Sequence, residues 1–152
     1  AEFAGYANVG AEASKYLKPN LSAAEYGSIR DMLIDIEYAK QSTQPSCLIH
    51  GDIAPKHIIW NVETKSIGLI DFSDRSISDP AYDFAELYTY GEPFVNKVYT
   101  LYKSPNKNEK FLPRAKAYMK AIGIHSIAST YRTNKMKYDE AMRLLKIGTA
   151  LS

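Results

Sequence analysis

The sequence brings His50, Asp52, His57 and Asp71 into one short stretch, and residues of these types can together manage phosphate chemistry. One carboxylate can align a hydroxyl and accept its proton, while a second holds a divalent cation that neutralises phosphate charge. A neutral imidazole can share that cation, although magnesium generally prefers oxygen. Asp52 follows one short apolar run and His57 heads another. The four side chains therefore converge only if these runs fold back on one another.

The local patterns predict such folding. Cys47-Leu48-Ile49 reads as a short strand, and His57-Ile58-Ile59-Trp60-Asn61 as a second, rich in β-branched and aromatic residues. Val62 to Ser66 is a polar turn, after which Ile67-Gly68-Leu69-Ile70-Asp71 returns as the antiparallel partner. A turn near Thr64 sets His57 opposite Asp71 and Ile59 opposite Leu69, at the roughly 4.5–5.5 Å Cβ separation of facing residues.

Helices are expected on both sides of this hairpin. Residues 1–18 are weakly patterned, but Ser22 and Glu25 form a capping box, with Leu21 and Tyr26 at the staple positions. Tyr26, Ile29, Met32, Leu33 and Ile36 then give one apolar face through about Lys40. Gln41 to Ser46 reads as a loop. Downstream, Asp79 and Pro80 suit a helix start, Ala81 to Tyr90 its body and Gly91 its end. Further helices are predicted over Pro93–Tyr102, Asn108–Ile122, Ile124–Arg132 and Lys137–Ile147. The fold class is α+β, mainly α-helical, with a small β-hairpin insert.

Kinase catalytic loops run His-x-Asp-x4-Asn and are followed by a strand pair and Asp-Phe-Gly. Here His50-Gly51-Asp52 is followed at that spacing by His57, then by Leu69-Ile70-Asp71-Phe72 and Ser78-Asp79-Pro80-Ala81-Tyr82-Asp83-Phe84. These paired motifs resemble the aminoglycoside phosphotransferase and choline kinase-like family, whose fold is protein-kinase-like. His57 and the Ile77-Ser78-Asp79-Pro80 run are most similar to the 2″-type aminoglycoside enzymes. The resemblance implies that Asp52 is the catalytic base and that Asp71 and His57 are Mg2+ ligands. It also implies that His50, Asp79 and Asp83 support the catalytic loop, and that ATP or GTP is the phosphate donor. His57 stands where most of the family has Asn, and Ser73 where Gly is usual.

The same resemblance makes residues 1–152 a C-terminal, catalytic lobe. A phosphate-covering loop and a lysine paired with a helix glutamate are needed in the other lobe, and nothing before residue 47 matches either. An absent N-terminal nucleotide lobe is therefore expected, with its former contact surface exposed to that lobe or to self-association.

Other residues have plainer readings. Cys47, the single cysteine, reads as a buried structural thiol, and one cysteine excludes a disulfide framework. Lys56 reads as solvated, His125 as structural, and Trp60 as packed beneath the hairpin. Glu86, Glu92, Asp139 and Glu140 could line an acidic acceptor cleft but read as surface charges. Nucleotide-binding side chains are not identifiable.

The composition, 45% hydrophobic and 24% charged with a net charge of +2, fits a globular domain and gives no footing for nucleic-acid or membrane electrostatics. No apolar run reaches the roughly 20 residues of a membrane span, and the first residues lack a secretory pattern. A cytoplasmic location is expected. The functional expectation is transfer of the γ-phosphate of ATP or GTP to a hydroxyl of a small polar molecule, with an aminoglycoside antibiotic as the leading acceptor. The alternatives are a metabolite kinase of the same family acting on a sugar or amino alcohol, a metal-dependent hydrolase using the same four residues, and an inactive remnant or binding module.

Overall fold

A computed structural model describes residues 6–42, 46–133 and 137–152. Residues 43–45 of the predicted loop and the first five residues, on which the secretory reading rested, lie outside the described residues. The weakly patterned N-terminal stretch is ordered into helix α1 (Val9–Glu12) and a π-helical turn (Ala13–Leu17). Val9, Ala13 and Leu17, four residues apart, are its buried side chains.

Helix α2 (Ala23–Lys40) starts at the predicted capping box. The Ser22 amide donates to Glu25 Oε2 at 2.8 Å, and the Glu25 amide donates to Ser22 Oγ at 3.3 Å. The expected apolar face then buries Ile29, Met32 and Ile36, joined by Ala39, against the long helix α4 (Phe111–Thr133). Between them come β1 (Cys47–Ile49), a 3₁₀ turn (Pro55–His57), β2 (Ile58–Asn61), β3 (Ser66–Leu69) and β4 (Ser76–Ser78). These strands make two antiparallel ribbons, β2–β3 and β1–β4. The second ribbon is an addition to the sequence reading, which placed no strand between Asp71 and Asp79. Ser76–Ser78 is too short to carry a periodicity, and its pairing with Cys47–Ile49 is a long-range choice.

The segment predicted as a helix from Asp79 to Gly91 is instead two successive 3₁₀ turns, Pro80–Phe84 and Glu86–Tyr90. Asp79 does cap it, accepting from the Ala81 amide at 3.1 Å. In three-residue turns, positions four apart diverge by about 120°, against about 40° in an α-helix. The tighter winding lets Asp79 face α4 while Asp83 faces the loop after β1.

Helix α3 (Glu92–Leu101) follows, then α4 and α5 (Tyr138–Ala150). The two helices predicted on either side of Gly123 are one. A Cβ at Gly123 would lie 2.9 Å from Leu145 Cα and 3.0 Å from the Leu144 carbonyl oxygen, so the missing side chain lets α5 press on the α4 backbone instead of breaking the helix. Ala141, Leu144, Leu145 and Gly148 form the buried face of α5 at helical spacing.

One buried ion pair ties the 3₁₀ segment to α4. Arg114 donates to Asp79 from Nε at 2.6 Å and from Nη2 at 3.2 Å, with side-chain exposures of 1% and 0%. The Tyr118 hydroxyl adds a donor to Asp79 at 3.3 Å, and Arg114 Nη1 reaches Asn108 Oδ1 at 3.3 Å. Arg114→Met would leave the Asp79 carboxylate buried without its cation. We expect a loss of about 3–5 kcal/mol in urea unfolding, and only partial recovery in the Asp79→Leu/Arg114→Met pair, because Ala81 also loses its cap. A loss below about 1 kcal/mol in the single variant would contradict this account.

Candidate active site

The loop after β1 is held from below by Asp83. Its Oδ2 accepts from the His50 amide and its Oδ1 from the Gly51 amide, both at 2.9 Å. Burial pushes the Asp83 carboxyl above its ordinary pKa, and those two amides partly offset the shift. Gly51 sits at φ +87°, and a Cβ there would meet the Asp74 carbonyl oxygen at 2.2 Å. The loop therefore lies directly against the segment that follows Asp71, an approach open only to glycine.

The two histidines are wired by carbonyls, which only accept. His50 Nε2 lies 2.9 Å from the Ile70 carbonyl, while its Nδ1 accepts from the Asp52 amide at 3.3 Å. His57 Nδ1 lies 2.9 Å from the Asp52 carbonyl and 3.2 Å from the Asp52 carboxylate. His50 thus carries its proton on Nε2 and neutral His57 on Nδ1, which turns the His57 Nε2 lone pair outward. That atom lies 3.5 Å from Asp71 Oδ2. Phe72 packs over the His50 ring at a centroid distance of 4.3 Å.

The predicted register is wrong by one residue. Ile59 pairs with Gly68 and Asn61 with Ser66, and the Ile70 amide donates to the His57 carbonyl at 3.1 Å. His57 therefore faces Ile70, not Asp71. Four residues, Val62 to Lys65, close the turn, with Lys65 at φ +50°. Such a slip should move a side chain to the opposite face, yet Asp71 still reaches His57. It lies beyond the strand at φ +61°, where strand alternation no longer applies. Ser73 donates to Asp71 from its hydroxyl at 2.7 Å and from its backbone amide, holding the carboxyl below the usual range.

The structure thus brings His50, Asp52, His57, Asp71 and Asp83 together, while Asp79, at the start of the 3₁₀ segment, pairs with Arg114 of α4. Three residues not assigned to the site by sequence also come close. The Tyr6 and Tyr82 hydroxyls lie 3.4 Å apart, and both rings stand within electrostatic range of Asp52 and Glu86. Glu86, read as a surface charge, is partly buried. Burial first, and the Asp52 charge second, raise its pKa, with Lys56, His57 and Arg143 acting in the opposite sense. The available signal was its place three residues after Asp83, which puts both on one side of a 3₁₀ winding.

Other expectations need correction. Trp60 is 55% exposed on the hairpin, because no element among the described residues covers it. Cys47 is only partly buried. His125 keeps its structural reading, with Nδ1 at 2.7 Å from Oε2 of Glu12, remote in sequence. Lys56 is exposed, as expected, and so are Asp139 and Glu140. Glu92 pairs with Lys116 at 2.7 Å. A cavity of about 480 Å³ opens between α2 and α4, but Asp52, His57 and Asp71 are not among its lining residues. Among the described residues no helix is long and apolar enough to cross a membrane.

Comparison with known proteins gives this geometry a setting. A family model described as the phosphotransferase enzyme family matches residues 2–105. An uncharacterized Bacillus subtilis protein, YcbJ, is 42% identical over 48 residues, covering 31% of this chain and 16% of YcbJ. The GDP complex of an aminoglycoside 2'-phosphotransferase-IIIa superposes with a TM-score of 0.75 at 23% identity, over 95% of this chain and 50% of that one. A GDP and kanamycin complex of an APH(2") protein gives 0.77 at 21% identity, over 99% and 52%. A ternary complex of APH(4)-Ia with AMP-PNP and hygromycin B gives 0.65 at 17% identity, over 97% and 50%. The chain spans about half the length of these solved relatives.

Gly51→Ala must either move the Asp74 backbone or abandon the left-handed turn. We expect a stability loss of about 1–3 kcal/mol from the strained backbone alone. Separate amide resonances of His50, Gly51 and Asp52 should shift most in an NMR spectrum. An alanine variant with unchanged stability and spectrum would refute the close approach.

Proposed function

The chain belongs to the phosphotransferase enzyme family, and from that premise we propose that it carries the catalytic and acceptor-binding half of a small-molecule kinase. The reaction is transfer of the γ-phosphoryl group of ATP or GTP to a hydroxyl of a small polar acceptor. An aminoglycoside is the leading acceptor, and a sugar or amino alcohol comes next. One observation carries the reading: His57 stands between the Asp52 carboxylate at 3.2 Å and Asp71 at 3.5 Å, on a loop fixed by Asp83.

In this reading Asp52 aligns the acceptor hydroxyl and takes its proton as the new oxygen–phosphorus bond forms and the bond to the nucleoside diphosphate breaks. His57, donating from Nδ1 to the Asp52 carbonyl, fixes the Asp52 backbone and lies 3.2 Å from its carboxylate. His57 Nε2 and Asp71 Oδ2 would hold Mg2+. Adjacent ligands at about 2.1 Å from an octahedral ion lie about 3.0 Å apart, so the 3.5 Å separation fits with a small closure. Among the described residues no group of three His, Cys, Asp or Glu side chains is arranged to hold a metal, so phosphates and water would have to complete the ion's shell. When bound, the ion would neutralise charge on those phosphates. Ser73, by keeping Asp71 ionised, would support it.

The donor-gripping half is proposed to lie outside these residues. The β2–β3 hairpin and the segment after it expose Ile59, Trp60, Ile67, Leu69, Ile70 and Phe72, apolar surface suited to cover by a second lobe. Residues 1–152 alone should accordingly bind ATP and GTP weakly and turn over poorly; micromolar affinity with normal turnover by calorimetry and nucleotide consumption would overturn that assignment. In the full-length protein, Asp52→Asn should lower kcat by about 10²–10⁴-fold with far smaller changes in KM. Nucleotide consumption with aminoglycosides, sugars and amino alcohols then identifies the acceptor. Full activity of Asp52→Asn, or phosphate release without any acceptor, would sink the kinase reading.

A further inference from the structure

The cavity of about 480 Å³ between α2 and α4 takes no part in the chemistry around Asp52, yet its wall combines apolar surface with buried cations. Its size lies within the range of small-molecule sites, roughly 300–1,000 Å³. The apolar surface comes from Tyr38 and Ala39 on α2 and from Leu112, Pro113 and Ala117 on α4. Leu112 and Pro113 belong to the first turn of α4, so the positive end of that helix dipole also meets the cavity.

Lys120 and Arg114 are the two buried cations of the wall. The Lys120 side chain is 6% exposed and donates to Asp35, its acceptor among the described residues. An ammonium carries three N–H donors, so two are left over. Arg114 is 1% exposed, and its bonds to Asp79 and Asn108 use three of its five N–H groups. Buried donors on a cation are costly when they lack acceptors. The cavity therefore favours an occupant that brings acceptor atoms.

The charges narrow its class. Arg114 is matched by Asp79, Lys116 by Glu92 and Lys120 by Asp35. Lys110 has no carboxylate partner among the described residues, and its Nζ stands 5.7 Å from the centroid of the Tyr38 ring. One positive charge is thus left over. Asp35 is 57% exposed at its side chain, so it can turn to water where buried Lys120 cannot follow. An incoming anion can take its place. A cation would face Lys110 and Lys120, and a neutral apolar molecule would leave the spare donors unmet.

We infer that this cavity binds an organic monoanion, a carboxylate on an apolar body. The carboxylate meets Lys120 and Lys110, and the body lies against Tyr38, Ala39, Leu112 and Ala117. The site is separate from Asp52 and does not depend on the kinase reading. Because Arg114 both lines the cavity and anchors Asp79, an occupant also steadies the ion pair that ties the 3₁₀ segment to α4, and binding to the folded state raises its stability.

The test is calorimetric titration and methyl NMR of the full-length protein with decanoate. Decan-1-ol supplies the body without the charge, and acetate the charge without the body. Decanoate should bind, move the methyl resonances of Ala39, Leu112 and Ala117, and raise the thermal midpoint. Decanol and acetate should bind at least about tenfold more weakly, the scale of one lost charged contact. Lys120→Met keeps the apolar stem and leaves Asp35 in water. It should weaken decanoate about 10- to 100-fold and leave decanol unchanged. Lys110→Met, at an exposed position, should weaken decanoate about threefold at low salt, and it decides the point if Lys120→Met does not fold. Absence of decanoate binding, equal affinity for decanoate and decanol, or unchanged decanoate affinity in the lysine variants overturns the inference. So do shifts confined to the exposed hairpin around Ile59 and Ile67.

Discussion

The buried pairing of Asp79 with Arg114 is the interaction on which the rest of the structure depends. Neither charge has access to water, so each exists only because the other, with Tyr118, Asn108 and the Ala81 amide, satisfies its hydrogen-bonding capacity. The fork geometry of the guanidinium fixes direction as well as distance. It clamps the start of the 3₁₀ segment to the longest helix of the domain. From that anchor Asp83 is carried to the underside of the loop holding His50, Gly51 and Asp52, and Glu86 to its flank. Among the described residues the sheet amounts to two short ribbons, little to brace a loop, and this polar strut takes its place.

Above the strut, the site is built by backbone groups dictating side-chain states. The Ile70 carbonyl orients His50, and the Asp52 carbonyl orients His57. Each ring is left with a single useful nitrogen, one for the Asp52 amide and one facing Asp71. Asp71 reaches its place through a left-handed backbone, a conformation that aspartate tolerates better than most residues and that Ser73 stabilises through its side chain. These side chains are thereby fixed by hydrogen bonds within the site itself.

Lys56 and His57 act electrostatically on both Asp71 and Glu86, so the basic groups of the loop serve two carboxylates at once. The β2–β3 hairpin, by contrast, exposes apolar surface that no described element covers, and the domain spans about half of its solved relatives.

Much of this was legible in the sequence because it is local. The Ser22–Glu25 capping box, the apolar stripe of α2, the two hairpin runs and the His50-Gly51-Asp52 and Asp71-Phe72 motifs are all contained within a few residues, where spacing and side-chain chemistry suffice. Family membership and the α+β class follow from those same short patterns. What lay beyond them was decided in three dimensions. The one-residue register depends on how many residues close a turn, which alternating apolar residues do not specify. Gly123 looks like a helix break until α5 is placed against it. Asp79 looks like an ordinary cap until Arg114, far along the chain, proves to be its counter-ion. Glu86 looks like a surface charge until its 3₁₀ turn packs against the Pro55–His57 turn and leaves it partly buried. By itself the sequence determined which chemical groups are present and which local elements carry them. Only the tertiary structure decided which groups meet, because burial and ion pairing between distant residues are properties of the packed chain and not of any window within it.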